Sequence, residues 1–286
     1  MTDILNEPLT QRALIIAFLV GLSAPAIGIY LVQKGMSLMG DGIGHISLTG
    51  VALGWLAGTA WNLEPHDTLA IPGAILLSIL GAWTIEIIRS KGKTQGDVAL
   101  AILFYGGIAG GIILISLAGG TTTNLMSYLF GSLSTVSVSD LWYTLILTIV
   151  IISITHILSG PFFSVSHDEE FAISSGLPIT FLNITLATLT ALTVSISMHV
   201  VGALLVSAIM IVPIATAQLL GNSFAKVRIL STTISIVSCL LGVIITSYYP
   251  LSPGATIVVL LIGIYALTAI VKSTITFLRK TFATDS

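Results

Sequence analysis

Residues 12–33 read RALIIAFLVGLSAPAIGIYLVQ, an apolar run with a single charge, at its first position. A bilayer's hydrocarbon core is about 30 Å thick and is crossed by about 20 apolar helical residues, so this run is long enough to span. The rest of the chain repeats the pattern. Of 286 residues only 8% are charged and 55% are hydrophobic, and mean hydropathy is +1.07. A soluble domain carries roughly 25% charged residues. Twenty-two charged side chains, 10 basic and 12 acidic, do not cover a water-facing surface of this size. A soluble enzyme, a nucleic-acid binder and a disordered chain are therefore excluded. The fold class is all-α, a polytopic membrane protein in contact with lipid.

Nine runs have span character: 12–33, 42–62, 68–88, 97–118, 140–160, 178–197, 200–220, 229–248 and 254–272. They use most of the chain, so residues 1–286 form one transmembrane domain. Basic residues favour the cytoplasmic side. With nine spans and a cytoplasmic C-terminus, Lys34, Arg89, Lys91, Lys93, Lys226, Arg228, Lys272, Arg279 and Lys280 all fall inside, and only Arg12 falls outside. The N-terminus is then external. An eight-span arrangement with one re-entrant or peripheral segment is the alternative. Met1–Thr10 has Asp3 and Glu7 and no basic cluster, which argues against a cleaved signal and for retention of the first run as a span. Segment 121–139 is too polar to cross and reads as an external loop with a short helix near the interface. Cys239 is the one cysteine and reads as an inert buried thiol.

Glycines recur at helical spacing: Gly50, Gly54 and Gly58, then Gly106/Gly110 and Gly107/Gly111. Such spacing lets helix backbones approach closely in lipid. GDGIG at 40–44 is not a dinucleotide fingerprint. GKT at 92–94 lacks the glycine five residues earlier that a phosphate loop needs, since Ile87 stands there. The chain has no visible nucleotide site or cofactor of its own.

Asp41 and His45 open the second run, in MGDGIGHISLTGVALGW (39–55). A carboxylate at membrane depth costs on the order of 2.5–3.5 kcal/mol at the centre of a span, and less near an end. Residues at i and i+4 share a helical face, with Cβ atoms about 5–6 Å apart. A carboxylate oxygen and an imidazole nitrogen so placed suit a divalent transition ion. Gly50 falls on the opposite face and predicts a packed helix there. The competing reading makes Asp41 a helix-start residue favoured by the dipole, with His45 as its hydrogen-bonded neighbour.

His66, near Glu64 and Asp67, is either a solvated loop residue or an external metal contact; His156, His167 and His199 read as structural. Glu86 and Arg89 have ion-pair spacing, and Asp97 and Asp140 look like helix starts. Pro213 interrupts the seventh run and predicts either a packing kink or a gating kink. The loop PFFSVSHDEEFAISSGLP (161–178) predicts a helix of about two turns. Ser166 and Glu169 have capping-box spacing, Asp168, Glu169 and Glu170 suit a first turn, and Gly176 with Pro178 supplies a stop. Phe171, Ala172 and Ile173 are available for burial. The segment reads as a handle for a motor subunit or as an interfacial helix; its acidic run disfavours a negative lipid surface.

Four stretches carry a family resemblance over nearly the full length: KGMSLMGDGIGHISLTGVALG (34–54), DEEFAISSGLP (168–178), VVGALLVSAIMIVPIATAQLL (200–220) and YYPLSPGATIVVL (248–260). The chain resembles the permease subunits of bacterial zinc/manganese ABC importers. Gly44 and Thr49 depart from the family's frequent Ser and Pro. The resemblance implies a fold like that of type II ABC importer permeases and a homodimer in the bacterial plasma membrane. It implies separate ATP-binding subunits docked on the 168–176 loop, and an external metal-binding protein. Asp41 and His45 map onto the family's metal-contacting Asp and His, and zinc, manganese or iron would be the cargo. ATP would bind the partner, and this chain would be no enzyme. Two other readings are a gradient-driven secondary transporter, with Asp41 and His45 as a proton relay, and an ABC permease for a metal chelate. An intramembrane enzyme is disfavoured because no HExxH motif is present.

Overall fold

Backbone amides have no water to bond in lipid, so a crossing chain must satisfy them within helices. A computed structural model describes residues 7–64, 68–90, 96–119, 127–132, 137–203 and 205–284. His66, Lys91, Lys93, the 92–94 GKT and much of 121–139 lie outside these residues, as do the side chains of Asp97 and His199. The described residues form α1 (Pro8–Gln33), α2 (Met39–Ala60), α3 (Ala70–Ser90), α4 (Gly96–Leu117), α5 (Val138–Ile157), α6 (Ser159–His167), α7 (Glu169–Ser174), α8 (Ile179–Val201), α9 (Val206–Leu220), α10 (Phe224–Tyr248) and α11 (Pro253–Thr284). Among the described residues eight helices are long and apolar enough to cross a membrane; α9, with 15 residues, is shorter. At 1.5 Å per residue α9 reaches about 22 Å, less than a hydrocarbon core. Among the described residues the count is therefore eight full-length spans, the alternative arrangement rather than nine, with α9 as the shorter apolar segment.

Lys34, Arg89 and Glu169 meet at one end of the bundle. Phe224, opening α10, packs on Tyr30 of α1 and Phe163 of α6 at the same end. Leu219 of α9 and Lys272 of α11 share a surface hollow. The basic residues Lys34, Arg89, Lys226, Arg228 and Lys272 therefore lie toward one end, here the charged end.

The α8–α9 break falls at Gly202, later than the expected boundary near 198. Gly202 has φ +91, and a Cβ there would overlap the Leu129 carbonyl oxygen and lie 2.6 Å from the Gly131 nitrogen. Backbone of the 127–131 segment fills the break: Ala203 N–H donates to the Tyr128 carbonyl at 2.9 Å, and Ser252 Oγ donates to the Phe130 carbonyl at 2.7 Å. Polar backbone exposed by a broken helix is thus met by protein. Pro213 lies buried inside α9. At the other margins the helices outrun the apolar runs. Ser223 Oγ caps α10 by accepting from Lys226 N–H, and α11 continues to Thr284 because Lys272, Arg279 and Lys280 are good helix formers. Asp140 does start a helix: it exchanges hydrogen bonds with Ser137 at 2.9 and 3.1 Å. Cys239 is fully buried and free.

The 161–178 expectation needs a correction. The segment forms two helices, α6 and α7, and Ser166 does not cap the second. Ser166 is in the last part of α6, 5% exposed, with its hydroxyl unpaired among the described residues. Asp168 is the cap, its Oδ1 accepting from Phe171 N–H at 2.9 Å. A carboxylate one residue ahead of the helix displaces the hydroxyl, and Glu169 is left free to bond elsewhere. Gly176, with φ +77, ends α7.

Helix α2 lies between two glycine seams. On one face Gly50 and Gly54 pack on α3: a Cβ at Gly50 would overlap the Gly73 carbonyl, and one at Gly54 the Leu69 carbonyl. On the other, Gly107 of α4 sits on the His45 backbone and Gly111 on Leu48. Thr49 Oγ1 donates to the Gly107 carbonyl at 2.6 Å, tying α2 to α4. Interhelical bonds of this kind contribute on average about 0.6 kcal/mol. Thr49→Val is expected to lower the thermal midpoint of the purified chain slightly, by the loss of that one bond, in a melting measurement in detergent.

Candidate functional site

Asp41 is in the first turn of α2, where the helix has no side-chain cap hydrogen bond. It lines a cavity of about 220 Å³ with Leu38, Gly42, Leu100, Ala101, Phe104 and Tyr105, between α2 and α4. One turn on, His45 is 1% exposed and its Nδ1 has no hydrogen-bond partner among the described residues. Phe104 meets the imidazole edge-on, ring centroids 4.2 Å apart. The cavity wall beside Asp41 is thus also the cover over His45. A buried polar atom left unpaired costs about 1–3 kcal/mol, so the imidazole nitrogen is open to a ligand that reaches it. The opposite face, through Gly50 and Gly54, is packed on α3, as its spacing suggests.

Ser207 of α9 carried no signal in the sequence. It is 4% exposed, with an unpaired buried hydroxyl, and its Oγ would lie 3.0 Å from a Cβ at Gly40. It therefore adjoins the turn that carries Asp41, on a neighbouring face. Among the described residues no group of three or more His, Cys, Asp or Glu could hold a metal ion.

His156, at the end of α5, is exposed and shares a groove with Arg228. His167 stacks on Phe163, interplanar angle 6°. Among the described residues neither joins Asp41 and His45 in a group that could hold a metal ion.

At the charged end Glu86 and Arg89 pair as expected, at 2.9 Å. Glu169 joins them, 3.8 Å from Arg89 Nη2 and 3.7 Å from Lys34 Nζ. Asn183 of α8 accepts from Lys34 Nζ and donates to Glu169 Oε1 at 3.5 Å. The Lys34 side chain is only 5% exposed. Burial first, and the neighbouring Arg89 charge second, lower its ammonium to about 8; Glu169 and Glu86 work against that. On α7, Ala172 is buried, while Phe171 (61% exposed) and Ile173 (60%) point outward. Glu170 is also exposed.

Residues 6–272 match the ABC 3 transport family. This chain belongs to the ABC 3 transport family. The ABC 3 permease is 36% identical over 248 residues to the manganese transport system membrane protein MntC of Listeria monocytogenes, covering 87% of this chain and 85% of that one. It is 30% identical over 253 residues to the chelated iron transport system membrane protein YfeD of Yersinia pestis, covering 88% and 82%. The structure of PsaBC from Streptococcus pneumoniae in complex with Fab matches with a TM-score of 0.81 at 32% identity, over 93% of each chain. The all-helical ABC permease fold is thereby established, and the chain is a multi-pass membrane transport subunit of the metal-uptake kind.

Proposed function

We propose that this ABC 3 permease moves a divalent transition-metal ion, manganese first among them, along a path that Asp41 and His45 line. The carrying observation is the unpaired Nδ1 of His45, one turn from the cavity-lining Asp41 on α2. The manganese and iron named for its relatives support the cargo class. An external binding protein hands over the ion; neutral imidazole and carboxylate then replace part of its water shell. Few ligands keep the hold weak enough for release. Two copies around a two-fold axis would present two Asp and two His. Phe104 covers His45, so the ion meets both ligands only when α4 and its ring move aside.

ATP is hydrolysed by a separate subunit seated on α7. Phe171, Ile173 and Glu170 are its outward contacts, Asp168 fixes the helix start, and Gly176 fixes its end. The charged end, with the C-terminus, faces the cytoplasm of a bacterial cell, and Pro213 gives α9 a bend that can flex during gating. A proton relay explains Asp41 and His45 but gives no use for an exposed Phe on a short capped helix. Burying one Phe contributes about 1.5–3 kcal/mol, so Phe171→Ala is expected to weaken ATPase binding by about tenfold or more. Glu170→Lys should act in the same direction. Titration of the labelled ATPase onto the reconstituted permease measures both; unchanged affinity in both variants rejects α7 as the seat. The transport reading itself is tested by ATP-dependent Mn²⁺ uptake into vesicles holding the complete complex.

A further inference from the structure

We infer that Glu169 is the pin of a charge latch, gripped by Lys34 and Arg89, that passes movement of α7 to the α1–α2 turn and so to Asp41. The inference rests on the reading of α7 as the ATPase seat, and it separates Glu169 from the residues that touch the partner. Three helices converge on this one carboxylate. Lys34 follows the last residue of α1, Arg89 is in the last turn of α3, and Asn183 is in the first turns of α8. Glu86 completes the group through its pair with Arg89. Two cations and two carboxylates make a balanced set, and only Glu169 belongs to α7.

The set does not tolerate one-sided loss. The Lys34 ammonium is held almost out of water, where a charge is costly unless paired. Without the Glu169 charge, Lys34 and Arg89 would face each other across one remaining carboxylate, Glu86. Lys34 is also rigidly joined to the ion site. Gly35, at φ +70, takes the left-handed turn that ends α1. Met36 N–H donates to Leu31 O at 2.8 Å and Gly35 N–H to Val32 O at 3.2 Å, a Schellman pair. Met39 N–H then donates to Met36 O at 3.0 Å, leading directly into α2. Asp41 follows two residues later. A displacement of α7 therefore pulls on the turn that sets the start of α2. Charge networks that link rigid elements in this way can carry coupling between sites.

A plain staple would hold α7 in place and alter assembly, hydrolysis and uptake together. The latch alters their ratio, making Lys34 and Glu169 positioning residues for transport. The test uses the permease with its ATPase in vesicles, reading Mn²⁺ uptake per ATP hydrolysed for Glu169→Gln, Lys34→Gln and the double variant. The expected result is normal complex recovery and hydrolysis within about twofold, with uptake per ATP down about tenfold in each single variant. The double variant should be no worse than either single, since both remove one interaction. An unchanged ratio overturns the latch, as does release of the ATPase by Glu169→Gln but not by Lys34→Gln, the mark of a docking contact. Amide exchange of Phe171–Leu177 in the full-length permease gives a second readout that needs no transport. Lys34→Gln should quicken it about tenfold; unchanged exchange overturns the proposal. Failure of the unaltered complex to import Mn²⁺ with ATP would reject the transport reading, a result distinct from either latch readout.

Discussion

Asp41→Ala and His45→Ala are each expected to cut ATP-driven metal uptake by at least about a hundredfold while the chain still assembles with its partners. Loss of a residue that merely supports a metal ligand typically costs 10–100-fold, and these two would be ligands themselves. No third His, Cys, Asp or Glu stands in a metal-holding group with them among the described residues, so no neighbour can substitute. Assembly should survive because, among the described residues, His45 Nδ1 makes no hydrogen bond to another helix and Asp41 faces a cavity, so what His45→Ala gives up between helices is the edge-on contact with Phe104. Removing the buried imidazole also removes an unsatisfied polar atom, which offsets part of the packing lost. Uptake measured at verified complex levels checks this, and normal uptake in either variant would count against the site.

The second large effect concerns two neighbouring glycines. Gly107→Ala is expected to reduce uptake about tenfold or more, while Gly106→Ala leaves it unchanged. A Cβ at Gly107 would lie 2.6 Å from the His45 carbonyl carbon, 2.7 Å from its oxygen and 2.8 Å from Ile46 N. All three are backbone atoms of a packed helix and cannot turn aside. Either α4 backs away or α2 shifts, and both displace the imidazole from Phe104. Overpacking of this kind costs about 1–3 kcal/mol, and a shift of about 1 Å in a reacting geometry can cost a hundredfold in rate. At Gly106 a Cβ meets nothing within 4 Å. Uptake and melting of the two variants side by side test the seam. Equal behaviour would mean that α4 does not press on His45.

The same glycines show what the sequence can reveal. Spacing of small residues made a seam legible along α2 and α4, because lipid leaves backbone proximity as the main reason for such a pattern. It could not show which glycine of each adjacent pair faces inward, since that depends on how α4 is rotated. Apolar run length placed the spans but counted the short α9 as a ninth, and the α8–α9 break was not placed correctly. Its position depends on Gly202 meeting backbone from 127–131, a contact between distant parts of the chain. Asp41 and His45 stood out because charge and imidazole are rare at membrane depth. Ser207 and Phe104 did not, because serine and phenylalanine are ordinary in such helices. Local spacing also suggested Ser166 as the cap of α7. The fold buries that hydroxyl in α6, gives the cap to Asp168 and turns Glu169 toward Lys34 and Arg89.

The central claim, that Asp41 and His45 hold the ion in passage, is tested most directly by pulsed electron paramagnetic resonance of Mn²⁺ trapped in the complete complex. A nitrogen bound to manganese couples to its spin, and loss of that coupling in His45→Ala assigns the nitrogen to this imidazole. The expected spectrum shows an imidazole ¹⁴N coupling in the unaltered complex that disappears in His45→Ala. A bound Mn²⁺ with no nitrogen coupling, or with the same coupling after His45→Ala, would contradict it.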